Sequence, residues 1–124
     1  MTVSTFRELT SEERALLDRL LGEPFPGRDE IKSQLSRAQV RSTDADGSLE
    51  TRPQSGARAK VVHRIPVEAT YSDVDGIPVQ ILLHVVDGKV SELEIYKVDG
   101  SAIQRRPSAG ELNVSHANAS GEQP

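Results

Sequence analysis

Residues 65–100 read IPVEATYSDVDGIPVQILLHVVDGKVSELEIYKVDG, and Asp-Gly pairs divide this stretch at 75–76, 87–88 and 99–100. An Asp-Gly pair between segments of alternating apolar residues is a strong signal for a β-hairpin turn. Successive pairs are spaced by 12 residues, which suits consecutive antiparallel strands better than parallel strands joined by long crossovers. The sequence therefore predicts a meander of three strands near residues 61–73, 77–86 and 89–98.

The two faces of this meander differ in composition, because successive side chains of a strand point to opposite faces of the sheet. One face of the first two strands is apolar and is predicted to be buried; it consists of Ile65, Val67, Ala69, Tyr71, Ile77, Val79, Ile81, Leu83 and Val85. On the third strand Val90 is out of phase with Leu93 and Ile95. A β-bulge at Ser91-Glu92 resolves the conflict, since it lets Val90 pair with Val85 and still turns Leu93 and Ile95 inward.

Two helices are predicted ahead of the sheet. Thr10 and Glu13 have the spacing of a capping box, in which each residue satisfies a free backbone N–H at the start of a helix. The leucines that follow recur at helical spacing and are expected to face the core; they are Leu16, Leu17, Leu20 and Leu21. Pro24-Phe25-Pro26-Gly27 then forces a turn before a short second helix that ends near Arg37.

The expected fold class is α+β, with two N-terminal helices packed on one face of an antiparallel meander sheet of three to five strands. Pro66 cannot donate to a ladder, so the first strand of the meander is expected to be an edge there. A hairpin predicted at 39–52 could pair beyond Pro66, join the other edge of the sheet or cover a face. We expect residues 1–103 to form a single domain and residues 104–124 a flexible C-terminal tail, within which residues 111–114 alternate and could dock as an extra strand.

Composition and charge exclude several classes of protein. The chain has 124 residues, 35% of them hydrophobic and none of them cysteine, which fits one small domain without disulfides or thiolate metal sites. Its net charge of −4 would repel a phosphate backbone, so nucleic acid is not an expected partner. The N-terminal residues carry charges where a signal peptide has an apolar run, and no stretch approaches the ~18 apolar residues of a membrane span. We therefore expect a cytoplasmic protein without a membrane partner.

The polar face of the meander is where a site could lie, and its candidate interaction residues are Glu68, Leu82, His84, Glu92, Glu94 and Tyr96. One interpretation makes His84 a general base or metal ligand that Glu92 orients, while the other carboxylates supply negative charge. A second treats the face as a solvated surface whose charges maintain solubility, since an open face has no concavity that excludes water. A third treats it as a contact surface, because apolar residues ringed by charge are typical of an interface.

Motifs for catalysis, cofactor binding or metal binding do not stand out in the chain, which has no Gly-rich phosphate loop, no histidine pair at helical spacing and no G-x-S-x-G turn. We hypothesise a small non-enzymatic accessory domain, of regulatory or immunity type, that contacts a protein partner or forms a homodimer and needs no cofactor. The alternative is a small-ligand or metal-binding domain, or an enzyme, that uses the His84 and Glu92 neighbourhood. A pocket near Phe25, between the helices and the rim of the sheet, would favour this alternative.

Three segments also resemble a known protein family; they are FRELTSEERALLDRLL at 6–21, FPGRDE at 25–30 and ILLHVVDGKVSELEIYKVDG at 81–100. They are similar to a group of short bacterial proteins, frequent in actinobacteria, that is classed as a domain of unknown function. The resemblance extends from residue 6 to about residue 103, and its most specific parts are the FPG turn and the DGxVxELE hairpin. It implies a bacterial cytoplasmic protein and brings no established activity and no catalytic residues.

Overall fold

The structure, a computed structural model, describes residues 5–117. Its elements in chain order are β1 (Arg7–Glu8), α1 (Ser11–Leu20), α2 (Arg28–Ser36), β2 (Gln39–Ser42), β3 (Leu49–Arg52), β4 (Val67–Ser72), β5 (Pro78–Val86), β6 (Lys89–Lys97), a short 3-10 helix (Ala109–Glu111) and β7 (Asn113–His116). Within these residues the strands form one antiparallel sheet in the order β1-β2-β3-β6-β5-β4-β7.

The expected fold class is wrong about the number of strands and about how much of the fold is sheet. The described part of the chain contains seven strands rather than three to five, and its two α-helices are short segments of ten and nine residues. The fold is therefore mostly antiparallel sheet, and not two helices packed on one face of a small meander. Strand β1 escapes recognition because it has two residues, which is too short for a clear alternating pattern.

The predicted register of the central strands is confirmed. Ile81 of β5 pairs with Ala69 of β4 and with Ile95 of β6, so the three side chains share one face of the sheet. The predicted bulge is also found, since the register shifts just before Val85 pairs with Val90. Each of these five side chains is at most 5% exposed. Most of the predicted apolar set is therefore buried, and Ile65 and Ile77 are half-buried.

The core joins the helices to that buried face. Thr10 Oγ1 accepts the backbone N–H of Glu13 at 3.1 Å, and the Glu13 carboxylate accepts the N–H of Thr10 at 2.8 Å, so the predicted capping box starts α1. Helical side chains then enter the same apolar cluster as the inward residues of β3 to β6; they are Leu16, Leu17, Leu20, Ile31 and Leu35. Full burial of one such side chain contributes roughly 1.5–3 kcal/mol, so this contact is what holds the helices to the sheet.

The hairpin predicted at 39–52 is found as β2 and β3. Leu49 of β3 pairs with Leu93 of β6, so the hairpin extends the sheet on the side away from β4. This is one of the positions that the sequence leaves open. The edge predicted at Pro66 is wrong, because β7 pairs along that side of β4.

Part of the segment predicted to be a flexible tail belongs to the sheet. Strand β7 pairs with β4, and its Val114 packs against the core. Leu112, just before this strand, is 2% exposed. The alternative in which residues 111–114 dock as an extra strand is thus the one observed. Residues 118–124 of the predicted tail lie outside the described residues, and the boundary between domain and tail stays a prediction.

A buried glutamine ties α2 to the β5–β6 turn. Gln34 is 1% exposed, and its side-chain nitrogen donates to the carbonyls of Ala57 and Gly88 at 2.8 Å each. Its side-chain oxygen accepts the N–H of Val90, also at 2.8 Å. Both ends of the amide are therefore satisfied, as a buried polar group requires.

Candidate functional site

The predicted interaction residues lie on the sheet face that points away from the core, here called the outer face. The pairs across β4, β5 and β6 on this face are Glu68 with Leu82, Leu82 with Glu94, His84 with Glu92 and Gln80 with Tyr96. The structure therefore brings the six candidates together on three adjacent strands. The bulge leaves His84 opposite Glu92, as the predicted register requires.

His84 is held by two neighbours on the outer face. It is 8% exposed; its Nδ1 accepts a hydrogen bond from Arg64 Nε at 3.1 Å, and its Nε2 lies 2.8 Å from Glu94 Oε1. A guanidinium only donates, so Nδ1 is the acceptor and the ring proton sits on Nε2, directed at the carboxylate. The carboxylate partner is Glu94 and not Glu92. The difference arises because a long side chain reaches its diagonal neighbour across a strand pair as readily as the opposite one.

This arrangement argues for a structural role of the imidazole. A histidine that binds a metal or takes up a proton does so through an unprotonated ring nitrogen, and in His84 that nitrogen is occupied by Arg64. Residues 5–117 contain no group of three or more histidine, aspartate and glutamate side chains that could hold a metal ion.

One end of the outer face is apolar and exposed. Tyr96 is 39% exposed and Val98 49% exposed, and both follow Glu94 at alternate positions of the chain. The Val98 N–H donates to the carbonyl of Pro78 at 3.1 Å, which places the end of this row beside the start of β5. Half-buried Leu82 continues the strip along β5. Exposed apolar residues that are contiguous on one face are uncommon on monomeric proteins and mark sites of interaction.

Charges of both signs lie on the outer face. On β2 and β3, Arg41 and Arg52 lie over the ring of Phe6, with their guanidinium carbons 4.8 and 3.8 Å from the ring centroid. Arg41 also forms an ion pair with Glu50. Glu8 of β1, which pairs with Gln39, is on the same face. On β4 to β6 the charges are the carboxylates of Glu68, Glu92 and Glu94, together with Lys89, which pairs with Val86, and Arg64, which reaches His84.

A buried ion cluster at the far end of the sheet escaped the sequence prediction. Lys97 Nζ lies 2.9 Å from Asp73 Oδ2 and 2.7 Å from Asp75 Oδ2, and the side chains of Lys97 and Asp73 are fully buried. The backbone N–H of Gln104 also donates to Asp73, at 2.8 Å. A usable signal existed, because Lys97 continues the inward positions of β6, and a charge at an inward position needs a buried partner.

The pKa values of this cluster follow from its geometry. Burial by itself raises the pKa of Asp73, but the Lys97 ammonium and the N–H groups of Gln104 and Val74 outweigh it and hold the pKa at about 2. The hydrogen bonds that Lys97 donates to Asp75 and, to a lesser degree, to Asp73 raise the pKa of Lys97. All three groups are therefore charged at neutral pH. The cluster fixes the chain after β6 against the turn between β4 and β5.

A pocket near Phe25 was the feature that would favour the ligand-binding alternative. Phe25 instead packs against the core and contacts the ring of His116 of β7 in a tilted arrangement, with ring centroids 5.3 Å apart. A cavity of about 580 Å³ lies elsewhere, between the start of α1 and the β2–β3 turn.

Neither helix in the described part of the chain has the length and apolar character that a membrane span requires.

Comparison with known proteins identifies the family of the chain. A family model described as a domain of unknown function (DUF6984) matches residues 6–107, which include α1, α2 and strands β1 to β6. No curated protein and no solved structure matches the chain. The chain therefore belongs to the DUF6984 family.

Proposed function

Starting from membership of this family, whose description assigns no activity, we propose that the chain is a non-enzymatic accessory domain of the bacterial cytoplasm, of regulatory or immunity type, that acts by protein contact. Its contact surface is the outer face, and the occupant of that face is a second copy of the chain. The observation that carries the proposal is an exposed apolar strip surrounded by charged residues of both signs on one open face.

The outer face reaches the smallest size that a specific dimer interface needs. The five strands from β2 to β4 in sheet order contain 32 residues. With a rise of ~3.4 Å per residue and ~4.8 Å between neighbouring strands, their projected area is roughly 500 Å² per copy. Two copies would therefore bury about 1,000 Å², the lower limit for a specific interface.

A two-fold arrangement of two copies brings one pair of opposite charges together. In a face-to-face dimer whose two-fold axis runs along β6, β2 of one copy lies over β4 of the other and β3 lies over β5, given the strand order. Arg41 of β2 then lies over β4 of the partner, two residues along the strand from Glu68, while Glu92 and Glu94 of β6 lie near their own counterparts close to the axis. Opposite charges that meet across an interface favour one orientation of the two partners.

The test is the molar mass in solution, measured by size-exclusion chromatography with light scattering over a range of concentrations. We expect a dimer for the wild type and a monomer for Tyr96→Glu, which places a charge in the apolar strip. Val74→Glu is the matched control, since Val74 is 67% exposed in the β4–β5 turn, away from the outer face. A wild type that stays monomeric at the highest concentration contradicts the proposal.

A charge exchange tests the orientation of the two copies. Arg41→Glu and Glu68→Arg are each expected to weaken the dimer, because each brings like charges together across the interface. The double variant restores the opposite-charge contact and is expected to recover most of the association. Additive weakening in the double variant would rule out the two-fold arrangement along β6.

A further inference from the structure

The cavity beside α1 has the composition of a small-molecule site. Its volume of about 580 Å³ falls within the ~300–1,000 Å³ that such sites occupy. It lies on the core side of the sheet, so it is independent of the outer face. Its apolar lining is formed by Leu16, Leu49, Tyr71, Leu93, Ile95 and Ile103.

The rim of the cavity carries an excess of negative charge. The cavity is lined by two arginines and four carboxylates. The charges of Arg7 and Glu13 neutralise each other, because the two side chains form an ion pair at 2.8 Å. The charges that remain are Arg106 against Glu12, Asp44 and Asp46, a net of −2. The start of α1 adds a partial positive charge of about half a unit, which reduces this excess without cancelling it.

We infer that this cavity binds a small amphipathic cation, an apolar body that carries one amine or guanidinium group. The apolar body would lie against Ile103 and Pro107, which are partly exposed, and the cationic group would lie at the rim near Asp46 and Glu12. The carboxylate of Glu12 has only a long 3.5 Å contact with the Ser11 hydroxyl, so it is available to a ligand. An anionic ligand would be attracted by Arg106 alone and repelled by the three carboxylates.

The walls of the cavity are held in place before any ligand arrives. The Asp44 carboxylate accepts the N–H groups of Asp46 and Ser48 at 2.9 and 3.1 Å, which fixes the β2–β3 turn. On the other side the Tyr71 hydroxyl donates to the carbonyl of Arg105 at 2.9 Å and anchors the segment that carries Ile103 and Arg106. A site whose walls are already ordered loses less conformational entropy on binding.

The experiment is a titration of the ¹⁵N-labelled full chain with 4-phenylbutylamine, followed by amide chemical shifts. The matched probes are 4-phenylbutyrate, which has the opposite charge, and the neutral 4-phenylbutanol. We expect saturable shifts at Gly47, Ile95 and Ile103 with the amine, and binding of the carboxylate at least about tenfold weaker, since one unit-charge contact near 4 Å contributes ~1 kcal/mol even in water.

Variants at the rim separate this inference from nonspecific binding. The double variant E12K/D46K should weaken amine binding by about tenfold or more, because it reverses two rim charges while leaving the Asp44 hydrogen bonds and the core unchanged. The control E23K makes the same kind of change at an exposed residue outside the cavity and should leave binding within about twofold. The inference is overturned if the amine gives no saturable shifts at these amides, if the carboxylate binds as tightly, or if E23K weakens binding as much as E12K/D46K. A thermal melt of each variant establishes that it is folded, and the outcome does not depend on whether the chain is a dimer.

Discussion

Leu82 and Leu83 are adjacent in β5 but lie on opposite faces of the sheet, so truncating each to alanine tests the face assignment directly. Leu83 is fully buried and pairs with Val67 on one side and Leu93 on the other. Leu82 is half-buried on the outer face between two glutamates. The chemical change is identical in the two variants, and only the environment differs.

The expected loss differs by several-fold between the two variants. Leucine to alanine removes the equivalent of three methylene groups, which at ~0.8 kcal/mol each gives about 2.4 kcal/mol for a buried side chain. The cavity left behind adds to this, so Leu83→Ala should lower the free energy of unfolding by about 3–4 kcal/mol. Leu82→Ala should lower it by about 1 kcal/mol or less, because part of its side chain is already in water.

The assay is urea unfolding followed by circular dichroism, at a protein concentration low enough that dimer formation does not contribute to stability. Leu83→Ala should also lower the melting temperature by roughly 10–25 °C, given ~3–6 °C per kcal/mol for a domain of this size. A loss for Leu82→Ala equal to or greater than that for Leu83→Ala would refute the assignment of the two faces.

Three further predictions concern polar groups. Lys97→Met should destabilise the protein by leaving the Asp73 carboxylate buried without its cation. Since the Asp73 pKa of about 2 lies below the ordinary 3.8, the wild type should lose stability as the pH falls from about 4 toward 2. Denaturant unfolding curves measured across that pH range should show a smaller loss of stability in the variant. Gln34→Leu should lower the free energy of unfolding by about 2–4 kcal/mol in urea titrations, because three backbone groups lose their partner; a loss below about 0.5 kcal/mol would count against it. His116→Phe should raise the melting temperature, because His116 Nε2 is buried without a hydrogen-bond partner in the described structure. A phenyl ring keeps the aromatic contact with Phe25. A lower melting temperature in the variant would count against this prediction.

The register of the central strands could be predicted because two independent signals agree there. Asp-Gly pairs fix the turns, and the phase conflict at Val90 has a single simple solution, a bulge that restores Leu93 and Ile95 to the buried face. The neighbourhood of the outer-face residues follows from that register without further information. Where alternation is long and turns are marked, the sequence specifies the pairing.

The size of the sheet could not be predicted in the same way. Strand β7 has four residues with one partly buried apolar side chain, Val114, and its pairing with β4 is made by backbone groups that every sequence possesses. Pro66 pointed to a free edge, yet its carbonyl accepts the N–H of Ala117 at 2.9 Å. The sequence pattern therefore underestimated the sheet at its edges.

The polar partners of the site depend on contacts between distant segments. Arg64 comes from the loop before β4 and reaches His84, and neither spacing nor periodicity predicts that contact. The cavity beside α1 likewise depends on the segment after β6 folding back over the sheet, where a backbone N–H of Gln104 meets Asp73. Lys97 is the exception, because its inward position was visible in the sequence.

The most direct test of the outer-face dimer uses the absence of cysteine from the chain. A single cysteine introduced by Glu92→Cys lies on β6, next to the proposed two-fold axis, and a short bismaleimide that spans the ~10 Å between packed sheets should link two copies there. We predict efficient formation of a covalent dimer at low protein concentration for Glu92→Cys and only background linkage for Val74→Cys. Equal linkage of the two variants, or none at Glu92→Cys, would contradict contact between two copies through this face.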